Sequence, residues 1–280
     1  MSEKLDLREA EGEARGVLSR FPFPVLPIDP FIIAENVGIE VRAKESSKPG
    51  VSGFLVRVGD AFAIQYCKRL ENEGFVRFTI AHELGHYFLP GHVKQLFPSC
   101  NGVHESRSGF VSDDRYERQA DFFASALLMP EELFKSEIVR AGNGFSAIEE
   151  LSRRFRTSLT ATAIRYAKLS DLPVAIIVSS GRRIDYCFMS DRLRELEKIT
   201  WIRKGDFLSK DTTTAKFNQI PSFVAQSKRS EGDSMLSDWF DGAPEVEVEE
   251  DVVGLGSYGK TLTVVFTDRD LEQEVEEDDE

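Results

Sequence analysis

The stretch FTIAHELGHYFL, Phe78 to Leu89, restricts what this chain can fold into more than any other segment. Read at about 3.6 residues per turn, its apolar residues occupy nearly the whole circumference, so the helix must be buried on all sides. It nevertheless carries His82, Glu83 and His86, and polar groups in such a place need partners. Residues four apart on a helix stack with Cβ atoms about 5–6 Å apart, so His82 and His86 can offer ring nitrogens to one ion. Glu83 lies about 100° round from His82, within reach of an ion-bound water but not of the ion. The chemistry that follows is a Zn²⁺ held by the histidines, a water whose pKa falls toward about 7, and Glu83 as the base that takes its proton. Mn²⁺ or Fe²⁺ suits the same kind of donor set with different affinity.

A bare match of five residues also fits a buried helix whose histidines merely satisfy hydrogen bonds, and a third protein ligand separates the two readings. Downstream, ERQADFFASALLMP places Glu117, Asp121, Ala124 and Leu128 on one helical stripe. Glu117 is the third ligand of a His, His, Glu set with one open position, and Asp121, one turn on, is placed to accept the free ring N–H of a ligand histidine. Small Ala120 and Ala124 let this helix lie close to the first, where Gly85 also removes bulk. The competing reading makes Glu117 and Asp121 surface residues of an amphipathic helix, at the cost of two carboxylates on the edge of a buried face. His92 and His104 fall between the two helices. The plainer reading of each is a surface loop histidine, while His104 in GVHESRSGF is also a candidate for stabilising a transition-state oxyanion. Tyr87 and Tyr116 neighbour the proposed ligands and are further candidates for that donation, with ordinary packing the plainer reading.

Around these two helices the chain reads as α+β. Residues 4–21 are helical, and LPIDPFIIAENVGIEVRA is a helix capped by Asp29, with Pro30 in its first turn and Gly38 past its end, followed by a strand. GVSGFLVRVGDAFAIQYC is a hairpin turning at Gly59-Asp60, and residues 90–113 form a polar loop. Pro130 breaks the second motif helix from a further helix, and SAIEELSRRFRTSLTATAIRYAKLSD gives two short helices in a helix-turn-helix outline. PVAIIVSSGRRIDYCFM reads as another hairpin, MLSDWF as a short helix and GKTLTVVFTD as a strand. The organisation expected is a metal-binding domain over 1–140, a helix-turn-helix-like segment over 141–171, a C-terminal α+β module over 172–268 with a sensor or substrate-recruiting role, and an acidic, disordered tail over 269–280.

The net charge of −13 argues against a chain that binds nucleic acid over its whole surface, although much of it is local, in EVEVEED and in the final LEQEVEEDDE. Arg153, Arg154, Arg156, Arg165 and Lys168 make the helix-turn-helix stretch locally positive. DNA reading would use its second helix, about Leu159 to Lys168, in the major groove. A structural or substrate-docking role is favoured instead, since Thr160, Thr162 and Ala163 offer little base-specific hydrogen bonding. The three cysteines are far apart with no CxxC pair, which leaves any metal to histidine and carboxylate. No apolar run reaches the roughly 20 residues that span a bilayer, and the charged start is not signal-like, so a cytoplasmic protein is expected.

Taken together, FTIAHELGHYFL and YERQADFFASALLMP resemble the ImmA/IrrE family of zinc metallopeptidases, with its HExxH helix and downstream ExxA(N/D)xFAxxLLMP helix. The resemblance is strong over about Val25 to Met129, looser to about Asp171 and weak beyond; Asp121 stands where the family often has Asn. It implies a compact zincin-like domain with a small antiparallel sheet, zinc ligands His82, His86 and Glu117, and Glu83 as general base of a gluzincin-type endopeptidase. It further implies one regulatory substrate, a helix-turn-helix repressor encoded nearby, whose cleavage derepresses stress-response or mobile-element genes. The competing class is a DNA- or partner-binding regulator with a structural or inactive zinc domain. A purely structural site would be closed by four protein ligands, and three strong candidates are found.

Overall fold

The computed structural model describes residues 2–20, 26–45, 50–68, 72–107, 112, 114–196, 199–269 and 271. They form two compact units, one made of residues 1–136 with 150–161 and the other of 137–149 with 162–280.

In the first unit, helix α1 (Ser2–Arg20) and helix α2 (Pro30–Asn36) precede strands β1 (Glu40–Lys44), β2 (Val51–Val58) and β3 (Ala61–Cys67). The Asp29 side chain accepts from the Phe31 N–H, and Pro30 needs no donor partner in the first turn, which is the expected start of α2. The β2–β3 hairpin turns at Gly59, whose φ of 61° is open to glycine at no steric cost. Helix α3 (Glu73–Phe88), helix α4 (His92–Leu96), strand β4 (Asn101–Arg107) and helix α5 (Arg115–Leu128) complete the site-bearing part. The sheet runs β1-β3-β2-β4. Its hairpin and β4 are antiparallel, while β1 runs parallel to β3, because β2 separates them in sequence but lies on the far side of β3 in space. Helix α3 packs against β2, β3 and α5, and α1 packs against α5, so α3 has neighbours on opposite sides.

The polar loop expected over 90–113 is instead α4 and β4. β4 forms the outer edge of the sheet, paired to β2 with Leu55 opposite His104 and Phe54 opposite Glu105. Of its residues only Ser106 is buried, so the strand is held by backbone pairing without an apolar face for a pattern search to find.

Helices α6 (Glu131–Ala141), α7 (Gly144–Phe155) and α8 (Leu159–Leu169) follow the Pro130 break. Along α8, Lys168 alone is exposed, and Thr160, Thr162, Arg165, Tyr166 and Ala167 are buried. Arg153 pairs with Glu150, and Arg156 with Glu73.

The second unit carries strands β5 (Val174–Ser180), β6 (Arg183–Met189), β7 (Arg229–Met235), β8 (Glu247–Gly254) and β9 (Thr261–Phe266), with short helices α9 (Asp191–Arg194), α10 (Thr213–Asn218) and α11 (Pro221–Ala225). Its sheet, β6-β5-β9-β8-β7, is antiparallel throughout and buries Ile177, Leu193, Trp239, Phe240, Val248 and Val265. The β5–β6 hairpin and β9 fall where the pattern places them, and MLSDWF contains a 3₁₀ turn over Leu236–Asp238. β7 and β8 are strands that composition conceals, since EVEVEED contributes to β8, with Val248 buried between exposed Glu247 and Glu249. Glu250 is buried as well, and its carboxylate accepts from the Thr213 N–H and the Thr214 hydroxyl at the start of α10. From residue 272 on, the expected acidic tail lies outside the described residues. No helix among the described residues is long and apolar enough to cross a membrane.

Candidate metal centre

Helix α3 begins at Asn72, whose side chain accepts from the Phe75 N–H, and Gly74 through His86 includes eleven buried residues. His82, Glu83 and His86 are all among them, with Glu83 and His86 wholly inaccessible. Helix α5 is capped by Asp114, whose carboxylate accepts from the N–H groups of Tyr116 and Glu117. That cap fixes the first turn, and Glu117 stands in it.

Two close approaches bring these helices and the sheet together. A Cβ on Gly85 would stand 3.1 Å from the Cα of Ala120 and from a Phe123 ring carbon, so the missing side chain lets α5 lie against α3. A Cβ on Gly53 of β2 would stand 2.6 Å from Glu83 Oε1 and 2.5 Å from Thr79 Cγ2, so the glycine makes room for the Glu83 carboxylate beside the sheet. Gly53→Ala is expected to displace that carboxylate while leaving the three histidine and glutamate donors in place. Misplacement on the ångström scale costs about 10²-fold in rate; steady-state peptide hydrolysis beside zinc stoichiometry measures it, and an unchanged rate would refute this use of Gly53.

The donors converge. His82 Nε2 lies 3.3 Å from Glu117 Oε2, His86 Nε2 lies 3.2 Å from Glu117 Oε1, and the two Nε2 atoms are 3.1 Å apart. Donors arranged tetrahedrally at about 2.0–2.2 Å from a zinc stand about 3.4 Å from one another, so the spacing fits such an ion. Asp121 Oδ1 meets His82 Nδ1 at 2.8 Å, which directs the other ring nitrogen toward Glu117.

The electrostatics are those of a site that calls for a cation. Burial raises Glu117, but the ring nitrogens of His104, His82 and His86 gathered on its carboxylate outweigh it and hold its carboxyl far below the usual carboxylate range. Burial pushes His86 down to about 3, which keeps its ring neutral. Burial acts on His82 in the same direction, yet its bonds to Asp121 and Glu117 lift it well above an ordinary histidine. Glu83 is pushed up to about 7 by burial, against the attraction of His82 and of the nearby Ser106 hydroxyl, and it is wholly buried. The donor types, their spacing and this buried carboxylate beside them fit a divalent metal with a water beside Glu83.

The other sequence candidates divide. The surface-loop reading of His92 and His104 is overturned: His92 is buried, and His104, carried in by β4, bonds to Glu117 Oε1 through Nε2 at 3.0 Å. The tyrosines are held in ring packing, Tyr87 edge-on to Phe62 and Tyr116 edge-on to His92. Gln119, which bonds to His92, was not foreseen; its place between Glu117 and Asp121 on α5 was the available signal.

A helix bearing His-x-x-x-His, a glutamate from a second helix and a buried carboxylate beside them define the site of a metallopeptidase-type domain. Residues 34–166 match the model of the IrrE N-terminal-like domain of a peptidase family, and this segment is similar to that domain. Two relatives are the radiation response metalloproteases IrrE of Deinococcus radiodurans and Deinococcus deserti. The chain is 33% identical to the first over 101 residues, 36% of this chain and 29% of the relative. It is 33% identical to the second over 107 residues, 38% of this chain and 37% of the relative. The match therefore spans well under half of either relative. A solved structure of a Mycobacterium tuberculosis transcriptional regulator superposes over 92% of this chain and 75% of its own, with a TM-score of 0.57 at 14% identity, a likeness of fold.

Proposed function

We propose that this chain is a zinc-dependent endopeptidase of the gluzincin type that cleaves a regulatory protein, with a helix-turn-helix repressor encoded nearby as its substrate. Cleavage would derepress stress-response or mobile-element genes. The observation that carries the reading is the convergence of His82, His86 and Glu117 within 4.8 Å beside the wholly buried carboxylate of Glu83. These three residues would hold the metal, which when bound would supply a Lewis acid and lower the pKa of a bound water toward about 7. Glu83 takes the proton of the attacking water at a carboxylate oxygen and returns it to the amide nitrogen that leaves. Asp121 holds the His82 ring in place through Nδ1. His104 donates from Nε2 toward the oxygen that gains charge, a direction its bond to Glu117 already supports.

Among the described residues β4 pairs on one side, with β2, and its other edge suits an extended peptide laid beside His104. The burial of α8 weighs against a DNA-reading role, since a helix that exposes Lys168 alone has no face for a groove. The test is to incubate the zinc-loaded protein with the repressor encoded beside its gene. A discrete cleavage that chelation abolishes and zinc restores is expected. An intact repressor would overturn the substrate, and failure to hydrolyse any member of a peptide library would overturn the peptidase.

A further inference from the structure

Among the described residues the outward nitrogen of His82 meets a carboxylate, whereas that of His86, Nδ1, lies 3.0 Å from Nδ1 of His92. His92 Nε2 in turn lies 3.1 Å from Gln119 Oε1. His92 belongs to α4 and Gln119 to α5, so the chain of contacts ties the helix after the HExxH segment to the helix that carries Glu117. His86 and His92 are essentially inaccessible and Gln119 is buried, so bulk water does not compete at these bonds.

With the Gln119 amide oxygen facing His92, hydrogen-bond chemistry allows one assignment of protons along this row. An amide oxygen only accepts, so His92 Nε2 carries the hydrogen that Gln119 receives. A neutral imidazole bears one hydrogen, which leaves His92 Nδ1 as an acceptor, and His86 Nδ1 must then donate to it. His86 Nε2 is thereby left with its lone pair directed at the Glu117 and His82 donor atoms. We propose that Gln119 and His92 form a relay of positioning residues that locks His86 in the tautomer able to bind metal. Asp121 does the same for His82 by a direct carboxylate bond. The two ligand histidines are thus oriented by unlike devices, a charged one for His82 and a neutral one for His86. The neutral relay adds no further negative charge to a centre that already gathers Glu83, Glu117 and Asp121. This inference rests on the metal site of the proposed function, not on its substrate.

Long-range ¹H–¹⁵N spectra of histidine-labelled, metal-free protein test it without any substitution. The expected result is His86 protonated at Nδ1 and His92 at Nε2. The reverse pattern, with Gln119 donating through its amide nitrogen, would overturn the relay. Competition titration with a zinc chelator supplies a second arm. His92→Leu and Gln119→Leu are expected to weaken zinc binding about 10- to 100-fold, the usual loss when a partner of a ligand is removed. His92→Gln, which keeps an acceptor and a donor, is expected to recover most of it. Equal zinc affinity in wild type and both leucine variants, each folded by circular dichroism, would refute the proposal. A wild-type protein that binds no zinc would instead overturn the metal site itself, whatever its tautomers.

Discussion

Glu83→Gln is expected to bind zinc as the wild type does and to lose about 10²- to 10⁴-fold in peptide hydrolysis, the range attributed to a positioned general base. The substitution keeps the shape of the side chain and removes only its capacity to take a proton. Glu83 is wholly buried, and the amide oxygen of glutamine can still accept from the nearby Ser106 hydroxyl. Its carboxyl is pushed up to about 7 by that burial, so a neutral amide removes a charge that the site tolerates at a cost. Initial rates on a cleaved substrate, read beside zinc content, make the measurement. Full activity in a zinc-loaded Glu83→Gln protein would remove Glu83 from the mechanism.

Glu117→Gln is expected to fail one step earlier, at metal binding. Ring nitrogens of His82, His86 and His104 lie 3.0–3.3 Å from the Glu117 carboxylate oxygens, and this setting holds its carboxyl far below the ordinary range, so its negative charge is what the three rings are gathered around. Loss of a ligand should cost more than the about 10- to 100-fold typical of a partner that only orients one. Zinc affinity is therefore expected to fall by more than about 100-fold, with hydrolysis falling in parallel and returning in part at high zinc. A variant that bound zinc at wild-type strength would assign the third position to another residue. The pair of variants separates holding the metal from using it.

The two helices of the site were legible in the sequence for different reasons. Helix α3 is apolar nearly all round yet contains His82, Glu83 and His86, so it reads as a buried helix whose polar groups need partners. Helix α5 carries Glu117 and Asp121 at the head of a stripe that ends in Leu127 and Leu128, and Ala120 with Gly85 marks where the two helices touch. The hairpins over β2–β3 and β5–β6 were legible because their apolar runs break at a glycine with positive φ. β4, β7 and β8 were hidden because each is rich in polar or charged side chains, and strands of that kind are held by pairing partners distant in the chain.

By itself the sequence determined the donor types, their helical spacing and the buried setting, because these depend on residues within one or two turns of each other. Only the tertiary structure decided which groups surround those donors. The pairing of β4 with β2 carries His104 to Glu117, and the packing of α4 beside α5 sets His92 between His86 and Gln119. Gly53 makes room for Glu83 on a strand 30 residues away in the chain. Each of these contacts is short in space and long in sequence. Local periodicity carries no record of them, since they are fixed by register and helix approach, which depend on the whole fold.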